Sequence, residues 1–188
     1  MPKLGAEPIR KAALINAAIF EVGRAGSLDV TVAQIARRAG MSPALAHHYF
    51  GSKDQIFLAA MRYILRTYGR LVSEALPGQG ARGRLDAIVR SSFAPQNFQR
   101  ETVSAWLNFY ALSFVNEEAA RLLRVYHRRL RSNLIVALRG VTDHPERTAD
   151  TLGALIDGVY LRAVLRPGPT DPEAALNTVM SYLEEALA

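Results

Sequence analysis

Two groups of residues in this 188-residue chain have types and spacings that could do chemistry. The first is the stretch from Thr31 to Lys53, TVAQIARRAGMSPALAHHYFGSK. Thr31 and Gln34 stand at the S/T-x-x-Q spacing of a capping box, which starts a helix by satisfying two of its free backbone donors. Val32, Ile35 and Ala36 give that helix a short apolar face, and Arg37 and Arg38 fall on its last turn. Ala39-Gly40-Met41 breaks it, because Gly40 can take the positive φ of a tight turn. Ser42-Pro43 starts a second, short helix, with Ser as cap and Pro at the first helical position. Two such helices across a Gly-containing turn form a helix-turn-helix, whose second helix enters the DNA major groove. Pro43, Ala44 and His47 fall on its groove-facing side, where short side chains favour apolar contact and shape over base hydrogen bonds. Tyr49 offers a hydroxyl to phosphates. Lys53 offers an ammonium beside the backbone donors of a helix capped by Ser52. Thr31 and Ser42 complete the DNA-binding set, with capping as their first role. His47 and His48 point about 100° apart on a helix, a poor geometry for one metal ion, and no metal or cofactor is expected.

The second group is aromatic. Trp106, Phe109, Tyr110 and Phe114 fall at i, i+3, i+4 and i+8, one stripe on one helix. Core packing is the ordinary fate of such a stripe. Trp and Tyr, however, carry polar tips that fully buried cores tend to avoid. Asp157 and Tyr160 stand at i, i+3 in the apolar run Leu152–Leu165. An acid there needs a partner, and Arg162 and a cationic ligand are both open at this level. The expected ligand-binding set is therefore Trp106, Phe109, Tyr110, Phe114, Asp157 and Tyr160.

Charge separates the two groups. Residues 1–53 hold seven Lys/Arg against three acids, a net of +4, and residues 139–188 hold four Arg against eight acids, a net of −4. A basic N-terminal third beside an acidic end fits a phosphate-binding head on a body that does not touch DNA. The whole chain carries +6 with a pI near 10.0, which favours an anionic partner. Hydrophobic residues make up 49%, enough for a substantial core. The absence of cysteine removes disulfides, thiol nucleophiles and thiolate metal sites. No signal-peptide pattern and no membrane-spanning apolar run is present, so a cytoplasmic location and no membrane partner are expected.

The elements that must position these groups read as helices throughout. Helical spacing runs from Ile9 to Ala25, and a long helix follows Ser52 to Leu76. Pro77-Gly78-Gln79-Gly80 is a strong breaker. Further helices are predicted over 82–93, 100–115, 117–138, 146–165 and from Asp171 to the end. Arg121, Arg124, Arg128, Arg129 and Arg131 form a solvated face on one of them. The expectation is an all-α fold of about nine helices, with a three-helix N-terminal helix-turn-helix domain over 1–53 and a helical ligand-binding and dimerisation body over 54–188. The last two helices show more apolar surface than one body can cover, which predicts a four-helix homodimer interface.

This order resembles the TetR family of transcriptional regulators, first through TVAQIARRAGMS and HHYFGSKDQIF. MPKLGAEPIRK, AWLNFYA at 105–111, RRLRSNL at 128–134 and ALIDGVYLRA at 154–163 are similar to its BetI branch. Members of that branch repress genes for glycine betaine synthesis and respond to choline. The resemblance implies a homodimer with a DNA-reading head and a ligand-binding body. The family commonly has Tyr where this chain has His47, and the branch tends to have Trp where this chain has Tyr110 and Tyr160. The expected function is a ligand-responsive repressor that binds double-stranded operator DNA and senses choline or a related quaternary ammonium compound. The alternative effector is another hydrophobic or multidrug cation. Enzyme chemistry is not expected: there is no Ser/His/Asp spacing, Gly-rich phosphate loop or His/acid metal cluster.

Overall fold

The computed structural model describes residues 6–187, the side chain of Val164 excepted. Met1–Gly5, with Lys3 and the start of the MPKLGAEPIRK motif, lie outside them. Among the described residues there are nine helices and no strand. They are α1 (Ala6–Ala25), α2 (Val32–Arg38), α3 (Pro43–Phe50), α4 (Lys53–Ala75), α5 (Ala81–Ser92), α6 (Arg100–Ser113), α7 (Glu117–Leu138), α8 (Pro145–Leu165) and α9 (Pro172–Ala186).

Local chemistry explains most boundaries. Ser52 caps α4 by accepting from the Gln55 N–H at 3.3 Å, and Asn116 caps α7 by accepting from Ala119 N–H at 3.0 Å. Asp171 accepts from the Glu173 and Ala174 N–H groups at the start of α9, with Pro172 in the first turn. The 77–80 breaker separates α4 from α5 as expected, with Gly78 at φ 74°.

The buried residues form one continuous core that runs from Leu14 and Ile35 near the N-terminus to Val179 and Leu183 in α9. Helix α1 belongs to both ends of it. It packs on α2 and α4, and most extensively on α6. At Gly23 the backbones of α1 and α6 approach closely: a Cβ there would lie 2.6 Å from both the Cα and the carbonyl carbon of Glu101. In the body, α7 packs on α8, α6 and α5, and α8 packs on α9. The arginine face of α7 is exposed, and Arg131 pairs with Asp150 of α8 at 2.6 Å. No helix among the described residues is long and apolar enough to cross a membrane.

Candidate nucleic-acid interface and ligand cavity

The helix-turn-helix forms from its local signals. Thr31 Oγ1 accepts from the Gln34 N–H at 3.2 Å, and Gln34 Oε1 accepts from the Thr31 N–H at 2.7 Å. Gly40 takes φ 69° in the turn between α2 and α3. Ser42 Oγ accepts from the Leu45 N–H at 3.2 Å. Ala46 of α3 and Ile35 and Ala36 of α2 are buried, so α3 is pinned along one side. Pro43, Ala44 and His47 remain exposed. His47 Nδ1 sits 3.2 Å from the Gly51 carbonyl at the end of the same helix.

Basic residues of α1 reach the same surface. Arg10 donates to the Tyr49 hydroxyl at 3.3 Å, and Lys11 Nζ lies 5.9 Å from the Tyr49 ring centre. Lys53 donates to the Leu28 carbonyl at 3.2 Å, which leaves the other donors of its ammonium available. Glu21, buried in α1, holds the motif in place. It accepts from Arg24 at 3.1 Å and from Arg38 of α2, whose guanidinium also covers the Phe20 ring at 3.7 Å. The Arg38 hydrogen bond holds the Glu21 carboxyl below its usual pKa; burial opposes this and Arg24 reinforces it.

The body contains a small cavity of about 20 Å³. Its lining includes four rings from four helices: Tyr68 of α4, Trp106 of α6, Tyr126 of α7 and Tyr160 of α8. Tyr68 and Tyr126 meet edge to face at 5.8 Å between ring centres, Tyr126 and Trp106 at 5.2 Å, and Trp106 and Tyr110 at 5.3 Å. Asn97 and Thr102 add polar atoms to the wall. The Tyr160 hydroxyl donates to the Ser92 carbonyl. The Tyr68 hydroxyl is buried with no hydrogen-bond partner among the described residues. Burial pushes its pKa up to about 12. Ser92 lies near enough to soften that shift, but its own hydroxyl donates to the Ile88 carbonyl at 3.2 Å.

One carboxylate dominates the electrostatics of this region. Asp157 accepts from the Tyr110 hydroxyl at 2.9 Å, and its other oxygen lies 3.5 Å from His127 Nε2. Burial is the main cause that raises the pKa of Tyr110, Tyr126 and Tyr160, and the negative charge of Asp157 raises each further. Its field therefore reaches all the tyrosines around the cavity.

The expected aromatic stripe divides. Trp106 and Tyr160 line the cavity. Tyr110 does not; it supports Trp106 edge-on and ties α6 to Asp157. Phe109 is fully buried in the core, away from the cavity wall. Phe114 is a correction: it is the C-cap of α6 and 88% exposed. Eight residues from Trp106 its direction has drifted by about 80°, and it lies past the last turn, where no helix covers it. Arg162 is not the partner of Asp157; Tyr110 and His127 are. The sequence reading missed Tyr68 and Tyr126. The available signal was a polar-tipped ring within an otherwise apolar helix face.

Comparison with known proteins agrees with this arrangement. Residues 14–60 match the family model of bacterial regulatory proteins of the tetR family. Residues 81–188 match the C-terminal domain of BetI-type transcriptional repressors. The HTH-type transcriptional regulator BetI of Brucella suis is 47% identical over 186 residues, spanning 97% of this chain and 94% of the relative. That of Rhizobium meliloti is 46% identical over 193 residues, spanning 100% and 94%. A TetR transcription regulator from Haloarcula marismortui shares the fold with a TM-score of 0.83 at 23% identity, covering 96% of this chain and 100% of that one. A protein from Saccharomonospora viridis solved in complex with choline superimposes with a TM-score of 0.81 at 25% identity, covering 93% and 95%. With helix-turn-helix, body and relatives in agreement along nearly its whole length, the chain belongs to the TetR family as a DNA-binding transcriptional repressor of the BetI type.

Proposed function

We propose that the protein is a homodimeric repressor whose residues 1–53 read operator DNA and whose residues 54–188 bind choline or a close quaternary ammonium analogue. The observation that carries the effector reading is the set of four rings, from four helices, around one cavity in the field of Asp157. A trimethylammonium group donates no strong hydrogen bond, so aromatic faces and a diffuse negative charge are what can recognise it. The choline complex of the structurally similar Saccharomonospora viridis protein supports the same ligand class.

A cavity of about 20 Å³ holds a water-sized group, so a trimethylammonium must part the rings. That requirement supplies the differential affinity without which a ligand shifts no equilibrium. Two helices carry the displacement towards the DNA. Helix α4 is continuous from Tyr68 back to Lys53, about 22 Å along its axis. Helix α6 carries Trp106 and, at its N-terminal end, Glu101 pressed on Gly23 of α1. On the DNA side, Pro43, Ala44 and His47 face the groove, while Thr31, Ser42, Tyr49 and Lys53 border it for phosphate contact. The exposed Leu161 and Leu165 of α8, 46% and 73% accessible, support a dimer built on α8 and α9.

Calorimetry with choline tests the reading. The unmodified protein binds choline; Trp106→Ala abolishes binding while operator binding persists, and Trp106→Phe retains part of it. Each desolvated cation–π contact contributes about 2 kcal/mol, so loss of the best ring is the largest single effect available. Choline affinity untouched by Trp106→Ala, or none in the unmodified protein, rejects the cage.

A further inference from the structure

A second cavity lies between α4 and α7, open to the surface, with a volume of about 930 Å³. Leu65, Tyr68 and Tyr126 line both this cleft and the aromatic cavity. Its lining combines apolar side chains with four arginines, Arg62, Arg66, Arg70 and Arg129, and contains no carboxylate. Arg62 pairs with Glu118, and Arg70 with Glu74 at 3.2 Å. Arg66 and Arg129 form no ion pair or side-chain hydrogen bond among the described residues. Arg66 adjoins Leu65 on α4, and Arg129 stands one turn beyond Tyr126 on α7. The two unpaired guanidinium groups thus line a cleft that shares Leu65, Tyr68 and Tyr126 with the cage.

With Arg62 and Arg70 neutralised by Glu118 and Glu74, the two unpaired guanidinium groups, Arg66 and Arg129, leave the cleft a positive field that repels a bare cation and attracts an anion. The cage beside it selects a cation. One molecule meets both demands when it carries both charges a short spacer apart. We propose that the preferred effector is a phosphate or sulfate ester of choline. Its trimethylammonium occupies the ring cage and its anionic oxygens take Arg66 and Arg129. The guanidinium fork matches such oxygens in pairs, and each bond is charge-assisted. This assignment rests on the cage reading of the proposed function and adds to it an anion subsite that choline itself leaves unused.

Calorimetry on the full chain with O-phosphocholine, choline O-sulfate, choline and inorganic phosphate tests it. One of the two esters binds about tenfold or more tightly than choline, the gain expected of one or two charge-assisted hydrogen bonds, and which one identifies the anion. The double substitution Arg66→Gln, Arg129→Gln, on exposed side chains that hold nothing else in place, removes that advantage and leaves choline affinity unchanged. Choline binding that equals or exceeds that of both esters overturns the anion subsite and leaves the cage standing. An ester advantage that survives the double substitution overturns the assignment to these arginines. Inorganic phosphate binding as tightly as the ester also overturns it, because the cage then contributes nothing. Failure of all the quaternary ammonium compounds to bind overturns the cage and the subsite together.

Discussion

Replacing Gly23 with Ala tests whether the head and the ligand-binding body are mechanically joined. A Cβ at this position would stand 2.6 Å from two backbone carbons of Glu101. Carbon atoms pack at about 3.5–4.0 Å, so α1 and α6 must separate by about 1 Å. The obstruction is main chain, which no rotamer change relieves. Overpacking of this kind costs about 1–3 kcal/mol, more than the ~0.5–1 kcal/mol that Ala gains over Gly inside a helix. Net of that gain the loss is at most about 2.5 kcal/mol, which for a chain of this size lowers the melting temperature by up to roughly 10 °C. Gly69 in α4 is the matched control, since a Cβ there meets nothing within 4 Å. Gly69→Ala therefore keeps only the helix gain and melts slightly higher than the unmodified protein. Because α6 bears Trp106, the 1 Å displacement in Gly23→Ala also changes operator affinity measured by anisotropy, and Gly69→Ala does not. A Gly23→Ala protein that melts at or above the unmodified protein, with operator binding unchanged, refutes the close approach of α1 to α6 and the coupling drawn from it.

Three further outcomes follow from the same geometry. Lys53→Ala weakens binding similarly on operator and random duplexes and reduces the salt slope by roughly one unit; an unchanged slope removes Lys53 from the backbone. It also loses the bond to the Leu28 carbonyl, so a fall in stability of about 0.5–1.5 kcal/mol accompanies it. Leu161→Arg places a charge on the exposed apolar face of α8 and gives monomers that lose specific DNA binding; a variant still dimeric by sedimentation places the interface elsewhere. Glu21 has a folded pKa below its unfolded value, so its contribution is fully present above the ordinary carboxylate pKa and is lost as pH falls through the folded one. Acid melts carried from neutral pH to below the ordinary carboxylate range therefore show a loss in the unmodified protein that Glu21→Gln lacks.

What the sequence by itself determined is the part of the protein built from short-range signals. The capping box at Thr31 and Gln34, Ser42-Pro43, Gly40 and the 77–80 breaker act within a few residues of where they stand. The helix-turn-helix and the succession of about nine helices were therefore legible to within about three residues of their ends. Which rings share a cavity was not. Trp106, Phe109, Tyr110 and Phe114 look equivalent as spacing, yet one lines the cavity, one is core, one carries a hydrogen bond to Asp157 and one faces solvent. Their fates depend on where α7 and α8 cover α6 and where α6 ends. Tyr68 and Tyr126 are 58 positions apart and meet only because α4 packs on α7. Periodicity reports the face a residue occupies on its own helix. Only the packing of four helices decides what that face meets, because the energy that brings them together is spread over the whole core and carried by no local motif.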